Sequence, residues 1–272
     1  MKRPKNRLIH LTFNDENDNP TMETSFYETN KAVSEYLLFH YGTAEDLLLN
    51  GVGPKEALDF PSRCGELHKG LELNRNRALD LGCAVGGAVF AMSREFSEVV
   101  GIDFSHALIE SAQRMANEKE VAIPIAVEGE LTRDIPVSLP NTAHPDRVQF
   151  EQGDAMNLKP ELGQFDFILM ANLIDRLPDP ASCLSGIHNF VNDNGIMAIT
   201  SPYTWLEEYT PKENWLGGYL RDGSPVRAHD TLIALLDERF ELLDSRNLPF
   251  LIREHERKNQ YSIAQATIWR KR

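Results

Sequence analysis

Apolar positions along the chain follow two different periods. Short apolar runs of strand length fall at 77–81, 98–102, 147–151, 165–170 and 195–200. Between and after them, helical spacing predicts helices over 87–95, 105–118, about 179–191 and 229–238. Strands alternating with helices predict a parallel, doubly wound α/β sheet. The end departs from that rhythm. Phe240 to Leu248 and Ser262 to Arg270 alternate without a helix between them, so they are expected to pair antiparallel at the sheet edge. Ahead of the first strand, Val33, Tyr36, Leu37, His40 and Tyr41 recur at helical spacing, and Gly42 reads as the stop. Further helices are expected near Pro54–Leu58 and from Ser62 to Leu71, so residues 25–75 form an N-terminal helical cap. Residues 1–24 are polar and uneven and are expected to be a flexible tail. Two insertions interrupt the alternation. Residues 122–146 read as a proline-bearing loop. Residues 201–228 follow the fifth strand at its C-terminal end, where open α/β sheets bind ligands.

Composition narrows the picture. The 272 residues, 42% of them hydrophobic, suit one sizeable domain with additions. No apolar run of about 18 residues is present, so no membrane span is expected. The basic start, Met1 to Arg7, lacks a following apolar stretch and does not read as a secretory signal. With 28 basic against 41 acidic residues, a nucleic-acid partner is not expected. Cys64, Cys83 and Cys183 are widely separated and show no metal or redox spacing, so no metal is expected and a cytoplasmic setting is the simple reading.

The chemistry concentrates at Ala78-Leu79-Asp80-Leu81-Gly82-Cys83-Ala84-Val85-Gly86-Gly87. A strand runs into a turn whose small residues, Gly82, Ala84 and Gly86, let backbone approach a ligand. About twenty residues on, a second strand ends in Asp103-Phe104, the spacing of an acid that accepts from ribose hydroxyls. Dinucleotides and S-adenosylmethionine share this layout. Three details favour the second. Asp80 precedes the first glycine, where it would repel a pyrophosphate but not an ammonium. The pattern Asp-x-Gly-x-Ala-x-Gly lacks the full dinucleotide spacing. A third acid, Asp154 beside Ala155, follows another strand and could hold an adenine amino group. The chain thus resembles the class I S-adenosylmethionine-dependent methyltransferases. That resemblance implies a Rossmann-like, mostly parallel seven-stranded sheet with S-adenosylmethionine as cofactor. Cofactor contacts are expected from Tyr27, Asp80, Gly82, Ala84, Gly86, Asp103, Phe104, Asp154, Ala155 and Asn172.

A closer likeness lies in Ser201 to Gly218, including Tyr203-Thr204-Trp205-Leu206-Glu207-Glu208-Tyr209, together with Ala171 to Leu177, Tyr36 to Gly42 and Leu58 to Cys64. Over residues 25–272 the chain is similar to the methyltransferase domain of ovothiol-biosynthesis enzymes, the 4-mercaptohistidine ring-N-methyltransferases. In that family the domain is fused behind a sulfoxide synthase. This sequence departs from that pattern and is expected to be a stand-alone form; the resemblance implies a functional pairing with a separate sulfoxide synthase and a thiol-bearing histidine as the small-molecule substrate. Methylation of another small molecule, and a non-catalytic cofactor-binding partner of such a synthase, are the competing readings. Asn172 and Asp175, at the end of the fourth strand, are expected to be catalytic with Glu207 and Trp215. Tyr203, Trp205, Tyr209 and Trp215 supply an aromatic wall for the substrate. Glu207 or Glu208 suits its ammonium, and Arg176, Arg221 or Asn214 its carboxylate. His40 reads as a packed core histidine rather than a base.

Overall fold

A computed structural model describes residues 26–272. The expected tail, residues 1–24, lies outside the described residues. The chain opens with α1 (Asn30–Tyr41), α2 (Ala44–Leu47) and α3 (Phe60–Gly65). Thr29 caps α1 by accepting from the Ala32 N–H at 3.2 Å, and Gly42 ends it. The stretch expected as a helix at 54–58 is a single 3₁₀ turn, Lys55–Ala57, and the one expected at 62–71 closes early, at Gly65.

The core elements follow: β1 (Arg77–Leu81), α4 (Gly87–Met92), β2 (Glu98–Asp103), α5 (His106–Glu118), β3 (Glu120–Glu128), β4 (Leu131–Ser138), β5 (Val148–Gln152), β6 (Phe165–Ala171), α6 (Pro180–Ile187) and β7 (Val191–Ser201). The chain closes with β8 (Tyr219–Arg221), β9 (Ser224–Val226), α7 (Ala228–Leu236), β10 (Phe240–His255) and β11 (Lys258–Lys271). Seven strands form one sheet in the order β10-β11-β7-β6-β1-β2-β5. Pairing is parallel except at β11, which runs antiparallel to both β7 and β10. The mostly parallel sheet with antiparallel C-terminal strands is the one the sequence predicts.

Period-two alternation splits the sheet's side chains between two apolar layers. Ala78, Val99, Phe167, Leu169 and Ala198 face α1, α3, α4 and α5. Leu79, Leu81, Val100, Ile168, Met197 and Ile199 face α6 and α7. Both faces are covered, so the central strands read as near-continuous apolar runs. Among the described residues no helix is long and apolar enough to cross a membrane.

The 122–146 insertion is not a loop. It holds the antiparallel pair β3 and β4, which buries Val121, Ile123 and Ile125 from one strand and Ile135 and Val137 from the other. Pro124 and Pro136 break the sequence pattern of a strand, yet both are tolerated because a two-stranded ribbon consists of edges only.

The order of the sheet places the functional crevice. From β1 the chain winds to β2 and β5 on one side, then crosses back to β6 and β7 on the other. Between the C-terminal ends of β1 and β6 the strand order reverses, and crevices for ligands form there.

Candidate active site

The turn after β1 is built on positive φ. Gly82 lies at +81°, Ala84 at +47° and Gly86 at +86°. The Gly82 and Cys83 N–H groups both donate to the Ile102 carbonyl, at 2.8 and 3.0 Å, tying the turn to β2. A Cβ on Gly86 would stand 2.6 Å from the Phe150 ring, so glycine is dictated there by packing as well as by φ. The first helical N–H beyond the turn is not free: Gly87 donates to His40 Nδ1 at 3.0 Å. His40 therefore carries its proton on Nε2, and burial lowers its pKa to about 3. It is a structural acceptor holding α1 to the turn. Tyr41 adds a second tie by donating to the Val85 carbonyl.

Three acids lie on or just beyond strands β1, β2 and β5, in different surroundings. Asp103, at the end of β2, accepts from the Ala84 N–H at 2.8 Å through Oδ2 and from the Ser105 N–H at 3.0 Å through Oδ1. Burial raises its pKa and those N–H donors pull it back down. Asp80 is 2% exposed. Its Oδ1 is sealed from solvent and has no hydrogen-bond partner. Burial, then the nearby Asp103 carboxylate, pushes its pKa up to about 8. Asp154 is exposed and accepts from the Met156 N–H at 2.8 Å, a local turn that fixes Ala155. Phe104, next to Asp103, leaves 58% of its surface open, an uncovered ring at the mouth of the crevice.

Across the crevice, Asn172 ends β6 with φ +51°. Its N–H donates to the Thr200 carbonyl at 2.8 Å, and its Oδ1 accepts from the Thr200 hydroxyl at 2.9 Å. Its side-chain NH₂ has no such commitment. Asp175 is 1% exposed. It accepts from Ser201 Oγ at 3.0 Å, Thr204 N–H at 3.1 Å and Arg176 Nη1 at 3.1 Å. With its oxygens engaged by these three donors, Asp175 fastens the loop after β7 and orients Arg176.

The 201–218 segment divides. Trp205 and Trp215 do not form an exposed wall. They stack on each other at 6.4 Å between ring centroids and pack against the α6–α7 layer. Trp215 Nε1 donates to the Thr210 carbonyl at 2.7 Å, and Asn214 donates to the Pro178 carbonyl at 2.8 Å. These three residues therefore pin the segment to the fold. Tyr203 donates to Gln265 on β11 at 3.0 Å. Glu207, Glu208 and Arg221 are exposed, Arg221 donating to the Tyr219 hydroxyl at 2.9 Å. Only Tyr209 turns toward the crevice: its ring lies under the Arg176 guanidinium at 4.8 Å and 6.4 Å from Tyr27.

Tyr27 belongs to a strap that joins both sides. Its carbonyl accepts from Ser105 Oγ at 3.1 Å, and the Glu28 carboxylate accepts from the His106 and Ala107 N–H groups at 3.0 and 3.1 Å. These bonds fix the strap at the end of β2, while the Tyr27 ring reaches Tyr209, Arg176 and, at 6.0 Å, Tyr36. Sequence reasoning missed Glu28 and Tyr36. Tyr36 reads as an apolar position of the α1 stripe, and its hydroxyl is invisible to periodicity. Among the described residues no cluster of His, Cys, Asp and Glu could hold a metal ion.

Comparison with known proteins agrees with this geometry. A family profile described as "Methyltransferase domain" matches residues 53–241, well over half of the chain. The chain is similar to a probable S-adenosylmethionine-dependent methyltransferase, CRG1, of Saccharomyces cerevisiae, with 35% identity over 72 residues, 26% of this chain and 24% of that protein. It is similar to a ubiquinone biosynthesis O-methyltransferase of Pseudomonas aeruginosa, with 26% identity over 142 residues, 52% of this chain and 50% of that protein. The chain thus spans half or less of the length of these curated relatives. Among solved structures, the YcgJ protein of Bacillus subtilis shares the fold, with a TM-score of 0.50 at 18% identity over 77% of this chain and 97% of that one.

Proposed function

Since the chain belongs to the methyltransferase-domain family, whose cofactor is S-adenosylmethionine, we propose that it methylates a ring nitrogen of a thiol-bearing histidine, 4-mercaptohistidine. The observation that carries the cofactor side is Asp80. A buried carboxyl with a sealed, unpartnered oxygen is costly unless a ligand completes it. A methionine ammonium has the charge and the donors to do so. Asp103 suits the ribose hydroxyls, the open face of Phe104 suits a base, and Asp154 suits an exocyclic amino group.

The bound cofactor supplies an electrophilic methyl group on a sulfonium, which leaves as a neutral thioether. The work of the protein is positional. Asp103, anchored by Ala84 and Ser105, fixes one end of the site, and the Asn172–Thr200 pair fixes the other. The strap at Tyr27 and Glu28 closes across them and keeps water from the reacting centre. No covalent enzyme intermediate is required for an in-line displacement.

The acceptor assignment is supported by the motifs shared with the mercaptohistidine ring-N-methyltransferases, at 36–42, 58–64, 171–177 and 201–218. A thiolate is intrinsically the better nucleophile, so the reading requires that the site hold sulfur away from the methyl group. Orientation can achieve this, because effective molarities of well-placed pairs reach on the order of 10⁵ M or more. The test is incubation with labelled S-adenosylmethionine and a panel of histidine derivatives, with the product analysed by mass and NMR and its thiol titrated. A methyl on the ring nitrogen next to the side-chain attachment, with a free thiol, is expected. Histidine is expected to be a poor acceptor. A thioether product, or histidine methylated as fast, would refute this acceptor and favour another small molecule.

A further inference from the structure

We infer that Tyr27, Tyr36, Tyr209 and Arg176 form a cradle for a ligand carboxylate, a site that completes the methyltransferase reading on which it rests. The four groups come from four separate parts of the chain: the strap, α1, the loop after β6 and the loop after β7. They meet nevertheless. The Tyr27 ring lies 6.0 Å from that of Tyr36 and 6.4 Å from that of Tyr209, and Arg176 stacks on Tyr209 at 4.8 Å. The three hydroxyls and the guanidinium are close enough to perturb one another electrostatically.

Three hydroxyls bring three protons, and a guanidinium brings five N–H bonds and no acceptor. Arg176 Nη1 is satisfied by the Asp175 carboxylate and carbonyl and by the Thr204 carbonyl. The remainder of the guanidinium faces tyrosines. Within the cluster the only acceptors are the hydroxyl oxygens themselves. Two other tyrosines have such an acceptor: Tyr41 donates to the Val85 carbonyl and Tyr203 to the Gln265 side chain. Here the described residues contain no carbonyl or carboxylate that accepts from Tyr27, Tyr36 or Tyr209. A cluster with surplus donors and one cation is matched by an anion with several lone pairs. A planar carboxylate has four, and Arg176 can meet it side-on.

Location adds the second half. The Tyr36 hydroxyl lies within electrostatic reach of Asp103, and Arg176 follows Asn172 by four residues, so the cradle spans the crevice between the β2 and β6 ends. Two carboxylates can arrive there: that of the cofactor's methionine portion and that of an amino-acid acceptor. The chemistry of the site is the same for both.

The experiment separates them. S-adenosylhomocysteine carries the carboxylate; 5′-methylthioadenosine keeps the nucleoside and thioether but lacks it. Calorimetric Kd values for both are compared in wild type, Tyr27→Phe, Tyr209→Phe and Arg176→Lys. The phenylalanine variants keep the ring packing, and thermal unfolding checks that each variant folds. If the cradle holds the cofactor's carboxylate, each variant weakens S-adenosylhomocysteine roughly tenfold or more and leaves methylthioadenosine unchanged. If it holds the acceptor's, the nucleosides are unaffected, while the protein saturated with S-adenosylhomocysteine loses its preference for 4-mercaptohistidine over the decarboxylated amine. Folded variants that treat both nucleosides alike and discriminate the second pair as wild type does, or a wild type with no such preference in either pair, overturn the cradle. A wild type that binds neither nucleoside refutes the methyltransferase reading instead.

Discussion

Asp80→Asn should make the cofactor-free protein more stable and the cofactor complex weaker. The substitution keeps the shape and removes the charge. In the folded chain the Asp80 carboxyl titrates near 8, against an ordinary 3.8, because it is buried and faces Asp103. An acid whose pKa rises on folding contributes least destabilisation below its unfolded value. Stability is then lost as pH climbs from about 4 towards 8, since the unfolded chain can ionise this group and the folded chain cannot. At neutral pH the loss is about 1.4 kcal/mol for each of roughly three pH units, about 4 kcal/mol in all. Water reaching the site would reduce it, so this is a ceiling. For a chain of this length, 1 kcal/mol moves Tm by about 2–4 °C, which places the ceiling at roughly 8–16 °C. Asparagine escapes the loss, because it matches the neutral form that wild type adopts. The assay is thermal unfolding of both proteins without cofactor, from pH 4 to pH 8. Their Tm difference should be near zero at about pH 4 and grow steadily in favour of Asp80→Asn. Calorimetry at pH 7 should show wild type releasing about one proton on binding S-adenosylmethionine, and the variant releasing less and binding roughly 10–100-fold more weakly. A variant that is no more stable at pH 7 than wild type, with unaltered affinity, would refute both the buried charge and its ligand.

Asp103→Ala should weaken S-adenosylmethionine by about 1.5–3 kcal/mol in a calorimetric titration, since a charged acceptor for hydroxyls is lost. Glu28→Ala releases two N–H groups at the start of α5, so the strap loosens: stopped-flow should find faster cofactor release, with stability lowered by about 1 kcal/mol. Trp215→Ala opens the Trp205 stack and should cost about 2–4 kcal/mol by denaturant unfolding, whereas exposed Glu207→Gln should change neither stability nor turnover; the reverse ranking would restore Glu207 to the site.

The sheet was legible because its signals are local and repeated. Each parallel strand is an apolar run of its own, and each connecting helix carries its own stripe, so β1, β2, β5, β6 and β7 could be placed to within a few residues. The C-terminal pair was legible in kind but not in reach: β10 and β11 extend to His255 and Lys258, well past the expected 248 and 262, because their upper halves are part-exposed and lose the alternation. The β3–β4 ribbon was hidden for another reason. Pro124 and Pro136 are breakers in a central strand and harmless on an edge, and edge position is a tertiary fact.

The same distinction divides the site. Gly82, Ala84, Gly86 and Asp103 are demanded by backbone geometry within a few residues of a strand end, and the chain carries that demand in order. The opposite side of the crevice is assembled from positions far apart, and residue type does not reveal the direction of a side chain. Trp205 and Trp215 look like a substrate wall in the sequence; packing turns them into a stack that holds the segment down. Asp175 looks like a catalytic group in the sequence; in the fold its oxygens are taken up by Ser201, Thr204 and Arg176. In exchange, a tyrosine of the helical stripe and one of the insertion are brought to Arg176 by the strap. The turn after β1 and the acid at the end of β2 are therefore written in motifs. The rest of the crevice depends on α1, the strap and the 201–218 segment coming together, and no local pattern carries that.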